Sequence, residues 1–227
     1  MIKNILIIAL ITFSICAKGQ TPWSNGNLKV SDNNRYLQHE NGKPFFWLGD
    51  TSWLMLSRLN RDEVKNYLEN RREKGFNVVQ CIFIQNYEHK NSYGDYPYAN
   101  NDISQPIETT GSNPDNSEEY DYFDHVDYIV DVAAKNGIYL AIVPTWRDLV
   151  KKDTTLTVEK AALFASHLAN HFKNKPNIIW INGGSSRGNR YTEIWNSIGE
   201  TIKKTDPNHL ITFPPCLSYG YYQMHER

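Results

Sequence analysis

Short, continuous apolar runs alternate along the chain with longer stretches whose apolar residues recur every three or four positions. The runs are Pro44–Leu48, Phe76–Ile84, Ile138–Pro144, Asn177–Ile181 and Leu210–Phe213. Unbroken apolar runs between turn residues fit strands buried on both faces, as in a parallel sheet. The stretch after Asn60 predicts a helix, with Glu63 completing a capping box and Val64, Tyr67 and Leu68 on one face before Gly75. A second helix carries Tyr122, Val126, Ile129, Val130 and Ala133 at helical spacing and stops at Gly137. A third presents Ala161, Phe164, Ala165, Leu168 and Phe172, and a fourth Ile194, Trp195, Ile198 and Ile202 ahead of Asp206-Pro207. Strict alternation of strand and helix implies parallel order with right-handed crossovers. Upstream, Leu28–Glu40 reads as an antiparallel ribbon, with Asn41-Gly42 as a tight turn. The pattern thus predicts a ribbon over 20–43, then an α/β region over 44–227.

Every run is followed by residues able to hydrogen-bond or stack on a ligand. Asp50 and Trp53 follow the first, Gln85 and Asn86 the second, and Trp146, Arg147 and Asp148 the third. Asn182, Gly183, Gly184, Ser185 and Arg187 follow the fourth, and the Tyr219–Tyr222 cluster the fifth. A (β/α)8 TIM-type barrel assembles its active site from the C-terminal ends of its strands. An open doubly wound sheet would instead gather such residues at one switch point. The expected fold is therefore a (β/α)8 barrel, incomplete, with about five of the eight units that closure requires. The long polar stretch from about Gln85 to Asp115 reads as a functional loop.

Composition narrows the partners. The 227 residues carry a formal net charge of -1 and are 40% hydrophobic, with no electrostatic lean toward nucleic acid or an anionic membrane. Aromatics make up 13%, and many of the 14 Tyr and 6 Trp lie beside Asn and Asp, as in surfaces that stack on sugar rings. Ordinary packing is the competing explanation. Met1–Gly19 has a basic Lys3, an apolar Ile5–Ile15 and a small-x-small end at Ala17-Lys18-Gly19, the pattern of a secretory signal. It is shorter than the roughly 20 apolar residues of a membrane span. Bulky Ile15 argues against a lipid anchor at Cys16. A secreted or periplasmic location is expected. Cys81, inside an apolar run, reads as a buried free thiol, and neither it nor Cys216 has zinc-ligand spacing. His167 and His171 lie one helical turn apart and could bind a metal in principle, but no acidic partner accompanies them, so a packed or solvated helix face is expected. His125 reads the same way. The Gly183–Gly188 loop lacks the lysine and spacing of a phosphate-binding P-loop. No cofactor is expected.

The blocks Leu28-Lys29-Val30-Ser31, Arg35–Glu40 and Pro44–Trp53 resemble the opening of the apiosidase-like secreted glycosidases, glycoside hydrolase family 140 and its relatives. Arg61-Asp62-Glu63, Tyr67–Arg71, Lys74–Gln80 and Asn177–Gly184 continue the likeness in the same order. The resemblance implies a barrel that cleaves plant cell-wall side chains such as pectic apiose linkages, seen here as an N-terminal part. It also implies an acidic general acid/base directly after the Gly-Gly pair, where this chain has Ser185, and a nucleophile on a later strand, beyond Arg227. Asp50, Asp148 and Ser185 are the catalytic candidates, with either aspartate a substitute proton donor. Trp53, Gln85, Asn86, Trp146, Arg147, Asn182, Gly183, Gly184 and Arg187 are the substrate-binding candidates. The alternative is a catalytically impaired barrel that binds glycans. A third reading is a fragment that does not fold alone, because its end strands would be unpaired.

Overall fold

A computed structural model of the chain describes residues 21–184 and 190–214. The predicted signal segment, Ser185, Arg187, Cys216 and the Tyr219–Tyr222 cluster lie outside the described residues. A three-stranded antiparallel sheet comes first, β1 (Leu28–Val30), β2 (Leu37–His39) and β3 (Pro44–Phe45), in the order β1-β2-β3. Five parallel strands follow, β4 (Gly49–Thr51), β5 (Val78–Ile84), β6 (Tyr139–Thr145), β7 (Ile178–Ile181) and β8 (Ile211–Thr212), each beside its predecessor. The helices are α1 (Met55–Arg58), α2 (Arg61–Glu73), α3 (Tyr122–Lys135), α4 (Arg147–Lys152), α5 (Val158–Phe172) and α6 (Thr192–Thr205). This is the consecutive parallel order of a (β/α)8 barrel, five strands of it. Among the described residues, no helix is long and apolar enough to cross a membrane.

One expected strand is divided. Instead of a continuous run at Pro44–Leu48, Pro44-Phe45 completes the antiparallel sheet and the parallel sheet begins at Gly49. Asn77 holds the break open, since its side-chain amide donates to the Phe46 carbonyl at 2.7 Å and accepts from the Leu48 amide at 2.9 Å. Short helices α1 and α4 also occupy stretches where the sequence pattern shows no helix.

The helix signals translate directly. Asn60 and Glu63 form the capping box of α2. Asp121 caps α3 through the amides of Phe123 and Asp124, and Gly137 takes a left-handed φ of +69° just past the helix end. The predicted apolar faces of α3, α5 and α6 are all buried. Period-2 alternation then sorts the strands between two cores. Val79, Cys81, Phe83, Leu140, Ile142, Ile178 and Trp180 face the helices. Val78, Ile82, Tyr139, Ala141, Val143, Ile179 and Ile181 face the inner side. Burying side chains of this size stabilises the fold by about 1.5–3 kcal/mol each. Cys81 is a fully buried free thiol, pushed up to about 12 by that burial.

The antiparallel sheet closes the N-terminal end of the inner core, where the Trp23 and Phe45 rings meet Tyr139 edge-on at 5.9 and 5.5 Å.

Candidate active site

Strand order puts all five C-terminal ends on one side, and Trp53 and Trp146 meet there. Trp53 follows β4 and Trp146 caps the start of α4 after β6, with ring centroids 5.4 Å apart and planes inclined by 55°. Behind them lies a backbone that tolerates no side chain. A Cβ on Gly184 would fall 2.1 Å from the Trp146 ring, and one on Gly183 would fall 2.7 Å from the Phe213 ring. Gly183 also holds a φ of +96°, which side-chain-bearing residues rarely adopt. Gly184 therefore lets the Trp146 indole, and Gly183 the Phe213 ring, lie against the loop after β7. Trp53 remains 36% exposed, so the pair presents a fixed, half-wet aromatic surface. Such surfaces suit sugar rings, which offer C–H groups on their faces and hydroxyls at their edges.

Beside this platform is an open cleft of about 500 Å³, reached from the loop after β5 and from α4. Asn86 and Asp148 both line it. The Asp148 side chain is 45% exposed and pairs with Arg147 Nε at 3.6 Å. Its neighbour Asp153 is committed, accepting from the Tyr87 hydroxyl and from Thr155 Oγ1 at 2.7 Å. Burial favours the protonated form of Asp153, but these hydrogen bonds outweigh it and hold the carboxyl below its ordinary range. Gln85 is half-buried at the end of β5.

Two expected ligand residues point elsewhere. Asp50 lies in β4 on the helix-facing side, where its carboxylate accepts from Arg71 at 2.5 Å and Tyr67 at 3.0 Å, both on α2. Burial alone would raise its pKa, but hydrogen bonds from Arg71, the Thr51 amide and Tyr67 lower it overall. A carboxyl held anionic in this way is a poor proton donor at neutral pH, which removes Asp50 from that role. Asn182 turns toward α6, donating to the Trp195 carbonyl at 2.8 Å with its amide pressed against Gly199.

The histidines have acidic partners that their own helix did not reveal. Glu108, from the long loop, lies 3.1 Å from His167 and 3.3 Å from His171, and Asp127 of α3 lies 3.0 Å from His171. Burial disfavours the charged form of His171, but the hydrogen bond and charge of Asp127, with Glu108 beside them, outweigh it and raise its pKa. The expectation of no acidic neighbour is corrected: the pair pins the long loop to α5. Among the described residues no three His, Cys, Asp or Glu side chains could hold a metal ion. His125 is buried between the Tyr120 hydroxyl at 3.2 Å and the Leu59 carbonyl at 2.9 Å, and burial holds it neutral with a pKa near 4.

Solved structures share this fold. A glycoside hydrolase family 5 protein from Bacteroides vulgatus is 40% identical, with a TM-score of 0.78 over 87% of this chain and 41% of its own. A second glycoside hydrolase is 42% identical, with a TM-score of 0.77 over 86% of this chain and 42% of its own. An endo-1,4-beta-mannanase from Rhizomucor miehei, 20% identical, shares the fold with a TM-score of 0.62 over 83% of this chain and 60% of its own. No curated protein matches. The chain spans 41% and 42% of the two more similar structures. Fold and neighbours define a glycoside hydrolase-type (β/α)8 barrel, present here in part. Within that class, residues 31–227 match the family described as Apiosidase-like, catalytic domain, and the chain belongs to it.

Proposed function

We propose that the protein is an exported glycoside hydrolase of plant cell-wall glycans, with pectic side chains of the apiose type as its substrates. The observation that carries this reading is the Trp53–Trp146 platform at the strand ends, held against a backbone that only glycine allows. Membership of the apiosidase-like family supports the substrate class. The Met1–Gly19 pattern supports export. In this reading the platform floors the sugar being cleaved, Asp148 and Arg147 contact its hydroxyls, and the loop beginning at Gly183 receives the leaving group.

Glycoside hydrolysis uses two carboxyl groups, about 5–5.5 Å apart for retention or about 6.5–9.5 Å apart for inversion. With Asp50 tied to Arg71 and Asp153 to Tyr87, Asp148 is the remaining aspartate candidate for proton transfer from this part of the barrel. These commitments, with Ser185 in place of the acid that the family resemblance implies, favour a second reading: a barrel that binds glycans without cleaving them.

One assay separates the two. The protein is incubated with apiose-bearing pectic oligosaccharides, and released sugar and binding are measured together. The hydrolase reading expects release that falls about 10²–10⁴-fold in Asp148→Asn, the usual cost of losing a general acid. Binding that requires Trp53 without release establishes the binder, and absence of both overturns the glycan reading.

A further inference from the structure

The cleft beside the platform has a chemistry of its own. Its volume of about 500 Å³ lies within the roughly 300–1,000 Å³ of small-ligand sites. Helix α4 joins the two places. Trp146 caps its start and belongs to the platform, while Asp148 and Lys152, four residues apart on one face, line the cleft. Trp146 and Asp148 stand two residues apart on this segment, so the platform and the cleft are neighbours along the chain.

The cleft offers groups that hydroxyls can use. Asn101 and Glu88 line it, and no hydrogen bond to either side chain occurs among the described residues. Asn86 spends its side-chain carbonyl on the Glu88 amide at 2.9 Å, which leaves its two N–H donors for a ligand. Asn100 and Asn101 hold consecutive left-handed φ values of 55° and 52°, a backbone state in which Asn is enriched. Amides and carboxylates of this kind suit neighbouring sugar hydroxyls, which both donate and accept.

Charge selects among sugars. The lining holds three carboxylates, Glu88, Asp148 and Asp153, against the single ammonium of Lys152. Counting Arg147, 3.6 Å from Asp148, the wall still has one more negative charge than positive. Asp153 is fixed as an anion by its bonds from Tyr87 and Thr155. A uronate entering here would meet the repulsion of this excess negative charge.

Building on the glycosidase reading of the rim, we propose that this cleft is a second sugar subsite that accepts uncharged sugar units and rejects uronates. The substrate then continues past the platform as a neutral side chain, while any polyanionic backbone stays outside the cleft.

Titrating intrinsic tryptophan fluorescence of the whole protein with three probes tests this. The probes are a neutral arabinan-derived disaccharide, the corresponding hexasaccharide, and an oligogalacturonate of the same length. The expected order is hexasaccharide tightest and oligogalacturonate weakest. Asn101→Ala should weaken the hexasaccharide about fivefold more than the disaccharide, the worth of one or two hydrogen bonds. Glu88→Lys should shift the ratio of oligogalacturonate to hexasaccharide affinity by about tenfold toward the uronate. Equal losses for both neutral probes in Asn101→Ala, or an unmoved ratio in Glu88→Lys, would overturn the subsite. Retained sensitivity to Trp53→Ala in that case leaves the platform reading standing. Loss of all sugar binding in a protein that still melts cooperatively overturns both.

Discussion

The two ends of the parallel strands treat polar groups in opposite ways. At the N-terminal end several polar side chains are held by hydrogen bonds within the fold. Asp206, fully buried, accepts from Trp180 Nε1 at 2.8 Å and pairs with His209 Nδ1 at 2.6 Å. Asn177 donates to the carbonyls of Val130 and Ile138, and Asn77 clips the chain between β3 and β4. At the C-terminal end Trp53 and Asp148 stay partly in water, and Glu88 and Asn101 have no hydrogen bonds to their side chains among the described residues. Stability is concentrated at one end and availability at the other, which is how (β/α)8 enzymes divide their labour.

The sharpest way to break this contrast is Asp206→Ala. It strands the Trp180 N–H and the His209 ring without their buried anion, at an expected cost of about 3–5 kcal/mol in denaturant unfolding. Asp148→Ala, at the other end, should move the same midpoint by no more than about 0.5 kcal/mol. Equal effects would dissolve the distinction.

Gly184→Ala probes the one place where the open end is tightly packed. Its methyl would enter the Trp146 ring, so overpacking of about 1–3 kcal/mol is expected, with the indole displaced toward solvent. A red-shifted tryptophan emission together with weakened glycan binding would check this. Trp53→Ala should be milder, costing about 0.5–1.5 kcal/mol in glycan affinity with little change in thermal unfolding.

The smallest effect concerns acidity. Because Asp50 is held below its ordinary value of 3.8, its contribution to stability is fully present above that pH and is lost as pH falls through the lower folded value. Asp50→Asn should therefore flatten the decline in stability on acidification below about pH 4, as read by unfolding midpoints across pH. A decline of the same steepness in the variant would show that the Arg71–Asp50 pair has no part in it.

Much of the scaffold was legible because its signals are local. The Asn60–Glu63 capping box, the apolar stripes of α3, α5 and α6, and the unbroken β5 and β6 runs each sit within a few residues of one another. What escaped depended on direction or on distance along the chain. β4 has only three residues, too few for alternation to reveal that Asp50 faces α2 and not the sugar side. Asn182 is likewise one pleat out of phase with Ile181, which turns it toward Trp195. Glu108 meets His167 from 59 residues away, and Asp127 meets His171 from 44, so no spacing rule could have paired them. The intimacy of Trp146 with Gly184 also crosses from one βα unit to another, and the Gly-Gly pair was the one hint that backbone approaches something closely there.

That last contact binds the evolutionary fates of two positions. Any lineage that places a larger residue at 184 while keeping the indole at 146 must push that ring aside and bear the overpacking cost. Homologous sequences should accordingly favour two combinations, tryptophan with glycine or a smaller partner with a larger one, with the mixed pair under-represented.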